Sequence, residues 1–390
     1  MAPALTLSRT FVRFFDSEKA GGVALLVCTL VAIALANSPA GPDYARLLHM
    51  PLAGLSVEHW VNDGLMAIFF LLVGLELERE LYVGELSDFR TALLPTFAAL
   101  GGIAVPVAIH VALNAGTPMQ PGAGIPMATD IAFALGVLAL LGTRAPASLK
   151  IFLTALAVMD DLGAVVVIGV FYGSGLSGGW LGAALAVFAG LIALNRARVM
   201  NLPIYLLGGA VLWFCMLKSG VHATIAGVLL AFAIPFSTRA EDEASPSHRL
   251  EHFLHRPVAF GVLPIFALAN AGIVVDAGWF DAVKSPNGLG ILAGLVVGKP
   301  IGIALASFAA VALGICVLPG DLKWRHVVGA GMLGGIGFTM SIFIANLAFS
   351  GQADVVNASK VAILAASLFA GCLGFAWLAW GAKTSDPAAG

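Results

Sequence analysis

Apolar residues run through this chain in long blocks separated by short polar connections, without the alternation of a surface strand. A helix needs about 20 such residues to cross a hydrocarbon core of ~30 Å. Twelve blocks of roughly this kind are readable, at 20–36, 59–77, 91–114, 123–141, 148–172, 180–195, 203–219, 221–236, 257–275, 288–313, 326–349 and 357–381. The pattern predicts an all-α polytopic membrane protein with twelve transmembrane helices, in one transporter domain over residues 1–390. An outer-membrane barrel would show alternating segments of ~10 residues, and none are visible. Ahead of the first block, Leu5 to Phe15 places Phe11, Phe14 and Phe15 on one side, either as an interfacial helix or as a frayed end.

Two blocks carry a break signal. The fourth opens with Pro121-Gly122-Ala123-Gly124-Ile125-Pro126-Met127-Ala128-Thr129-Asp130, and the eleventh holds Gly334-Gly335-Ile336-Gly337-Phe338-Thr339-Met340-Ser341-Ile342-Phe343. Proline removes a backbone donor and glycine tolerates unwound geometry. Interrupted segments at matching places in two halves point to the binding site of a transporter. Each broken span has one neighbour on either side. Three-span units at about 91–172 and 288–381 are therefore expected to be inverted repeats, with Thr129 and Phe133 aligning on Thr339 and Phe343.

Composition agrees with the block pattern: 59% of the 390 residues are hydrophobic and 11% are charged, against about 25% charged in soluble domains. The 46 glycines suit helices packed through small residues. A net charge of −2 gives no reason to expect a nucleic-acid partner. Cys28, Cys215, Cys316 and Cys372 lie in apolar spans without zinc or disulfide spacing. Arg9, Arg13, Asp16, Glu18 and Lys19 precede the first span and no small-residue cleavage site follows, so a cleaved signal peptide is not expected.

Basic residues set the orientation. With the N-terminus in the cytoplasm, fifteen of the twenty Lys and Arg fall inside; only Arg46, Lys218, Lys284 and Lys360 fall outside, and Lys299 is within a span. Both termini are therefore expected to be cytoplasmic. Asn37 to Ser56 forms a long outside connection, either a hairpin or irregular; Ser237 to Arg256 is expected as a charged inside connection, with Glu241, Asp242 and Glu243 in it.

Few ionisable residues remain in the apolar blocks. Asp160 and Asp161 are adjacent near the middle of the fifth, and a charge there is costly without a partner, an ion or water. Neighbouring helix residues point about 100° apart, so the two cannot occupy one spot but can both border one cavity, the other reading being a pair satisfied by backbone donors or buried bridges. Asp130 follows the break in span four, as an ion ligand or as compensation for a helix end, with Thr129 beside it. Lys299 is central in span ten and needs a carboxylate, with Asp160 or Asp161 at matching depth. Asp63 and Glu58 lie early in span two, where an interfacial position is one reading; Glu76, Glu78 and Glu80 lie at its inside end, with Arg79 three residues after Glu76 as an ion-pair partner. His222 sits at a turn, as a packing residue or a sensor, and His110 is read as structural.

No P-loop and no ATPase-sized soluble domain appear, which leaves an ion gradient as the energy source. Glu251, His252 and His255 lack the frame of a zincin helix. No cofactor and no enzymatic reaction are expected. Hard alkali cations take oxygen ligands, which two carboxylates, a threonine and unwound carbonyls supply. Burial and a neighbouring like charge favour the protonated carboxyl. A site that holds either the cation or protons exchanges the two.

The segments that carry this chemistry resemble the bacterial NhaA family of Na⁺/H⁺ antiporters. They are Phe69 to Glu76, Pro126 to Phe133, Val158 to Leu162, Lys218 to Thr224, Leu250 to His252, Pro264 to Gly272, Gly298 to Pro300 and Gly335 to Phe343. The resemblance implies twelve helices, with broken spans four and eleven crossing at mid-membrane. It implies Asp161 as the main cation and proton carrier, Asp160 as its partner and Lys299 as the counter-charge of Asp160. Asp130 and Lys299 would offset the facing helix ends. It further implies export of Na⁺ or Li⁺ against more than one H⁺, hence electrogenic turnover in the bacterial inner membrane. Glu76, Glu251, His252, His255 and His222 would carry a pH response, and residues 37–56 a homodimer contact. Arg256 and the acidic run 241–243 depart from the family pattern. The alternative function is a Na⁺-coupled symporter of an organic solute, which needs a solute pocket that no stretch suggests.

Overall fold

The computed structural model describes residues 9–84, 89–173, 175–237, 245–275 and 278–382. Within them the chain is almost wholly helical. That follows from the solvent: in lipid every backbone N–H and C=O must find an internal partner, and a helix supplies it within one segment. The helices are α1 Arg9–Ala36, α2 Gly41–His49, α3 Val57–Tyr82, α4 Phe89–Asn114, the 3₁₀ segment α5 Gln120–Met127, α6 Ile131–Leu140, α7 Ala147–Phe171 and α8 Gly178–Arg196. They continue with α9 Leu202–Ser219, α10 Ile225–Ala233, α11 Pro246–Asn270, α12 Trp279–Lys284, α13 Pro286–Ala312, α14 Trp324–Gly334, α15 Phe338–Ala348 and α16 Ala353–Ala382. Among the described residues nine helices are long and apolar enough to span a membrane, or eleven if two bent helix pairs each count as one span. The protein is a multi-pass membrane protein, almost wholly helical in its described residues.

Two expectations read differently in the structure. The eighth block, 221–236, contains only the nine-residue α10, about 13 Å of helix at 1.5 Å per residue. Gly220 ends α9 in the left-handed region, at φ 82°, and Ile234 is extended after α10. The connection 237–256 is not all loop, because α11 begins at Pro246 and carries Glu251, His252 and His255. Charge made this stretch look like a connection, yet α11 buries Leu250, Glu251 and Leu254. Of the two readings of residues 37–56 the hairpin is present, β1 Pro51–Leu52 with β2 Leu55–Ser56, and the helix α2 accompanies it. The expected amphipathic start at 5–15 and the acidic run 241–243 lie outside the described residues, the former except for the helical backbone from Arg9.

The chain divides into two compact units. The first comprises residues 1–26, 88–164 and 273–390; the second, 27–87 and 165–272. In the first unit an apolar core joins Leu94, Ala98, Leu135, Leu153, Leu156, Ile303, Val327 and Leu333. There α4 and α13 approach backbone to backbone, since a Cβ added at Gly101 would strike the Gly302 carbonyl and one at Gly302 the Gly101 carbonyl. Close approach through small residues is how membrane helices gain packing contacts. In the second unit α8, α9 and α10 share a smaller core of Ala184, Leu212, Cys215, Met216 and Ala226.

Candidate functional site

The first unit holds two interruptions that touch. After α5, Ala128 is extended (φ −89°, ψ 152°), as is Asp130 (φ −82°, ψ 101°), before α6 resumes. Pro126 and the surrounding glycines make this run a poor continuous helix. Between α14 and α15 the chain bends by 47° at Gly335 to Gly337. Each interruption supplies what the other lacks. Asp130 N donates to Ile336 O at 2.6 Å, and Thr129 Oγ1 reaches Gly334 O at 2.8 Å. Asp130 caps α6, its Oδ1 accepting from Phe133 N at 3.0 Å. Its Oδ2 accepts from Thr339 N at 3.1 Å and from the Thr339 hydroxyl. Ser341 Oγ donates to Ile125 O at 2.7 Å. An acidic cap suits a helix start, where free N–H groups carry partial positive charge.

Asp160 and Asp161 lie on α7 and are 0% and 2% exposed, and Asp160 reaches the first interruption at Thr129. Asp160 Oδ2 accepts from Lys299 Nζ and from Thr129 Oγ1, the latter at 2.6 Å. Lys299 is itself fully buried. The turn before it, Gly294–Gly298, is π-helical, and Pro300 has no N–H to return to that turn. Thr129 has one hydrogen for two acceptors, Asp160 Oδ2 and Gly334 O. The other oxygen, Asp160 Oδ1, is buried with no hydrogen-bond partner among the described residues. No group of three His, Cys, Asp or Glu gathers among those residues as a resident metal's donor set. The oxygens present, from carboxylate, hydroxyl and carbonyl, suit a hard monovalent cation in transit. Thr339 and Ser341 were not singled out as site residues in the sequence. Their signal was their position directly after the glycine run, opposite the Thr129-Asp130 pair.

A second polar cluster lies within the second unit. Arg79 Nε donates to Glu251 Oε1 at 2.8 Å, and its Nη2 lies 2.9 Å from Glu80 Oε1. Glu76 instead lies 3.6 Å from His255 Nδ1, and His255 Nε2 is 3.8 Å from Glu251. The i, i+3 spacing favoured a Glu76–Arg79 pair; Arg79 instead pairs with the adjacent Glu80 and with Glu251 of α11, the latter a partner that sequence spacing does not display. Buried Glu78 accepts from Ser247 Oγ at 3.2 Å. His252 is exposed. His222 is separate from this group, its Nε2 donating to Tyr172 O at 2.8 Å. Of the other early acidic residues of α3, Glu58 lies 3.5 Å from His49, and the Asp63 carbonyl accepts from Trp213 Nε1 at 2.9 Å.

A family model described as Na⁺/H⁺ antiporter 1 matches residues 12–378. A protein named Na⁺/H⁺ antiporter NhaA from Dechloromonas aromatica (strain RCB) is 68% identical over 375 residues, 96% of this chain and 96% of that one. NhaA 1 of Flavobacterium johnsoniae is 54% identical over 374 residues, 96% of this chain and 97% of that one. NhaA 2 of Pseudomonas syringae pv. syringae (strain B728a) is 52% identical over 363 residues, 93% of each chain.

Proposed function

Because the chain belongs to the NhaA family of Na⁺/H⁺ antiporters, whose members are transporters and not enzymes, we propose that it exchanges Na⁺ for H⁺ at Asp160 and Asp161. It exports Na⁺, or Li⁺, from the cytoplasm against more than one proton per cycle, so that turnover moves net charge. The observation that carries this reading is the buried carboxylate pair with an unsatisfied oxygen, Asp160 Oδ1, beside two helix interruptions.

The cycle follows from charge and hydrogen counting. With no cation bound, Lys299 and Thr129 satisfy Asp160 Oδ2. An entering cation takes oxygens of Asp160 and Asp161, with Thr129 as a third ligand, and weakens the Lys299 contact. A cation and a proton cannot occupy one carboxylate oxygen together, so each expels the other. Asp161 is the main carrier; Asp160 is shared with Lys299. Asp130 and Lys299 compensate the facing ends of the two interrupted helices, in keeping with Asp130 as the α6 cap.

The same reading places twelve helices in the inner membrane with both termini cytoplasmic. Spans four and eleven are its discontinuous crossing helices, and 91–172 and 288–381 its inverted repeats. Residues 37–56, with their exposed β1, offer the homodimer contact. Glu76, Glu251, His252, His255 and His222 carry the pH response.

The test is the Asp161→Asn variant in everted vesicles. Wild type should dissipate ΔpH on adding Na⁺ or Li⁺ with no organic solute present, and the variant should not. A wild-type response from Asp161→Asn refutes the assignment. A response in wild type that requires an organic solute identifies a symporter instead.

A further inference from the structure

At the C-terminal end of α4, His110 and Asn114 stand four residues apart, on one helix face, and both are fully buried. They meet the start of α13 and α16. Hydrogen-bond directions there are determined link by link. Ser359 Oγ has a single hydrogen, given to Val355 O at 2.7 Å. It therefore accepts from Asn287 Nδ2 at 2.9 Å. That turns Asn287 Oδ1 toward His110 Nε2, 3.0 Å away, so Nε2 carries the hydrogen. In a neutral ring Nδ1 is then an acceptor. Asn114 Nδ2 donates to two carbonyls, His110 O and Pro286 O, each at 3.0 Å, which fixes Asn114 Oδ1 as the acceptor end.

Both of those acceptors, His110 Nδ1 and Asn114 Oδ1, are buried without a hydrogen-bond partner among the described residues. Buried polar atoms in folded proteins are normally satisfied. The surroundings are fitted closely to the ring. A Cβ at Gly122 would lie 3.1 Å from His110 Nε2, and one at Gly290 would lie 2.7 Å from His110 Cδ2 and 2.9 Å from Asn114 Nδ2.

We infer that His110 Nδ1 and Asn114 Oδ1 together hold one buried water molecule, which donates one hydrogen to each. Two acceptors call for a donor, and they make no hydrogen bond to each other. Water carries two donors and bridges buried groups of this kind. The site is separate from Asp160 and Asp161 and does not rest on the exchange reading. It joins α4, through Asn287 and Ser359, to α13 and α16.

Two measurements on the full-length protein in lipid nanodiscs test this. The first is a cryo-EM map fine enough to resolve water, in Na⁺ and in Na⁺-free choline buffer. The second is nitrogen NMR of ¹⁵N-histidine-labelled protein, comparing wild type with Asn114→Leu. The expected result is density within hydrogen-bond distance of both atoms in both buffers. His110 Nδ1 should be unprotonated and hydrogen-bonded, and its resonance should move in Asn114→Leu. Density present only with Na⁺ would mean a cation site. A protonated Nδ1 or an empty site would mean an imidazolium or a direct contact. Each of these results overturns the inference, as does an unmoved Nδ1 resonance in a folded Asn114→Leu. If that variant does not fold, the wild-type map and the wild-type Nδ1 resonance decide alone.

Discussion

Lys299 meets Asp160 on Oδ2, the same oxygen that the Thr129 hydroxyl approaches. Lysine and aspartate are both fully buried, so neither has water to replace the other. Removing one partner of a buried pair leaves an uncompensated charge, which costs about 3–5 kcal/mol. Lys299→Gln should lower the thermal unfolding temperature of the detergent-solubilised protein accordingly. Adding Asp160→Asn to that variant should restore most of the loss. Equal melting temperatures for the single and double variants would show that the pair carries no energy.

Asp130 caps α6 and also holds the start of α15 through Thr339. Losing a cap costs roughly 0.5–2 kcal/mol, and an orphaned buried N–H about 1–3 kcal/mol more. Asp130→Ala should therefore destabilise the protein by roughly 2–4 kcal/mol, as read from thermal melts. Asp130→Asn keeps one oxygen acceptor and should lose less.

Much of this site was legible from the residues alone because charges are rare in the apolar blocks. Asp160 and Lys299 lie 139 residues apart, yet comparable depth in their spans narrowed the partners of Lys299 to two neighbouring carboxylates. Thr339 was harder to assign, since its partner Asp130 lies 209 residues away and both are short polar side chains next to glycine-rich runs. Arg79 misled for the opposite reason. The i, i+3 spacing suggested Glu76 as its partner, while Arg79 instead meets the adjacent Glu80 and Glu251, which α11 brings to it from 172 residues away. The shortness of α10 was also hidden, because hydropathy does not register the left-handed Gly220 that ends α9.

Glycines on the α4–α13 contact are expected to be intolerant of even one methyl. In Gly302→Ala the new Cβ meets the Gly101 carbonyl and stands 3.0 Å from Val105 Cβ. Overpacking of this kind costs about 1–3 kcal/mol. Gly136→Ala is the control: nothing lies within 4 Å of its Cβ position on α6, and helix propensity alone favours alanine by up to ~1 kcal/mol. Thermal melts of the two variants should move in opposite directions.

The two histidines of α11 should part company in a pH profile. His255 lies between Glu76 and Glu251, at 3.6 and 3.8 Å, whereas His252 is exposed. His255→Ala should alter the pH dependence of Na⁺-driven ΔpH dissipation, and His252→Ala should leave it closer to wild type. The same curve from His255→Ala and wild type would remove His255 from the pH response.

The two interruptions of the first unit complete one another's hydrogen bonding: Asp130 N to Ile336 O, Thr129 to Gly334 O, Thr339 to Asp130. A helix that breaks alone in lipid strands its own amides and carbonyls. Two that break together lend each other partners, so neither segment is independently viable. Their heredity is thereby joined: a change in the Thr129-Asp130 run must find its answer among residues 334–341, two hundred positions away, or be lost.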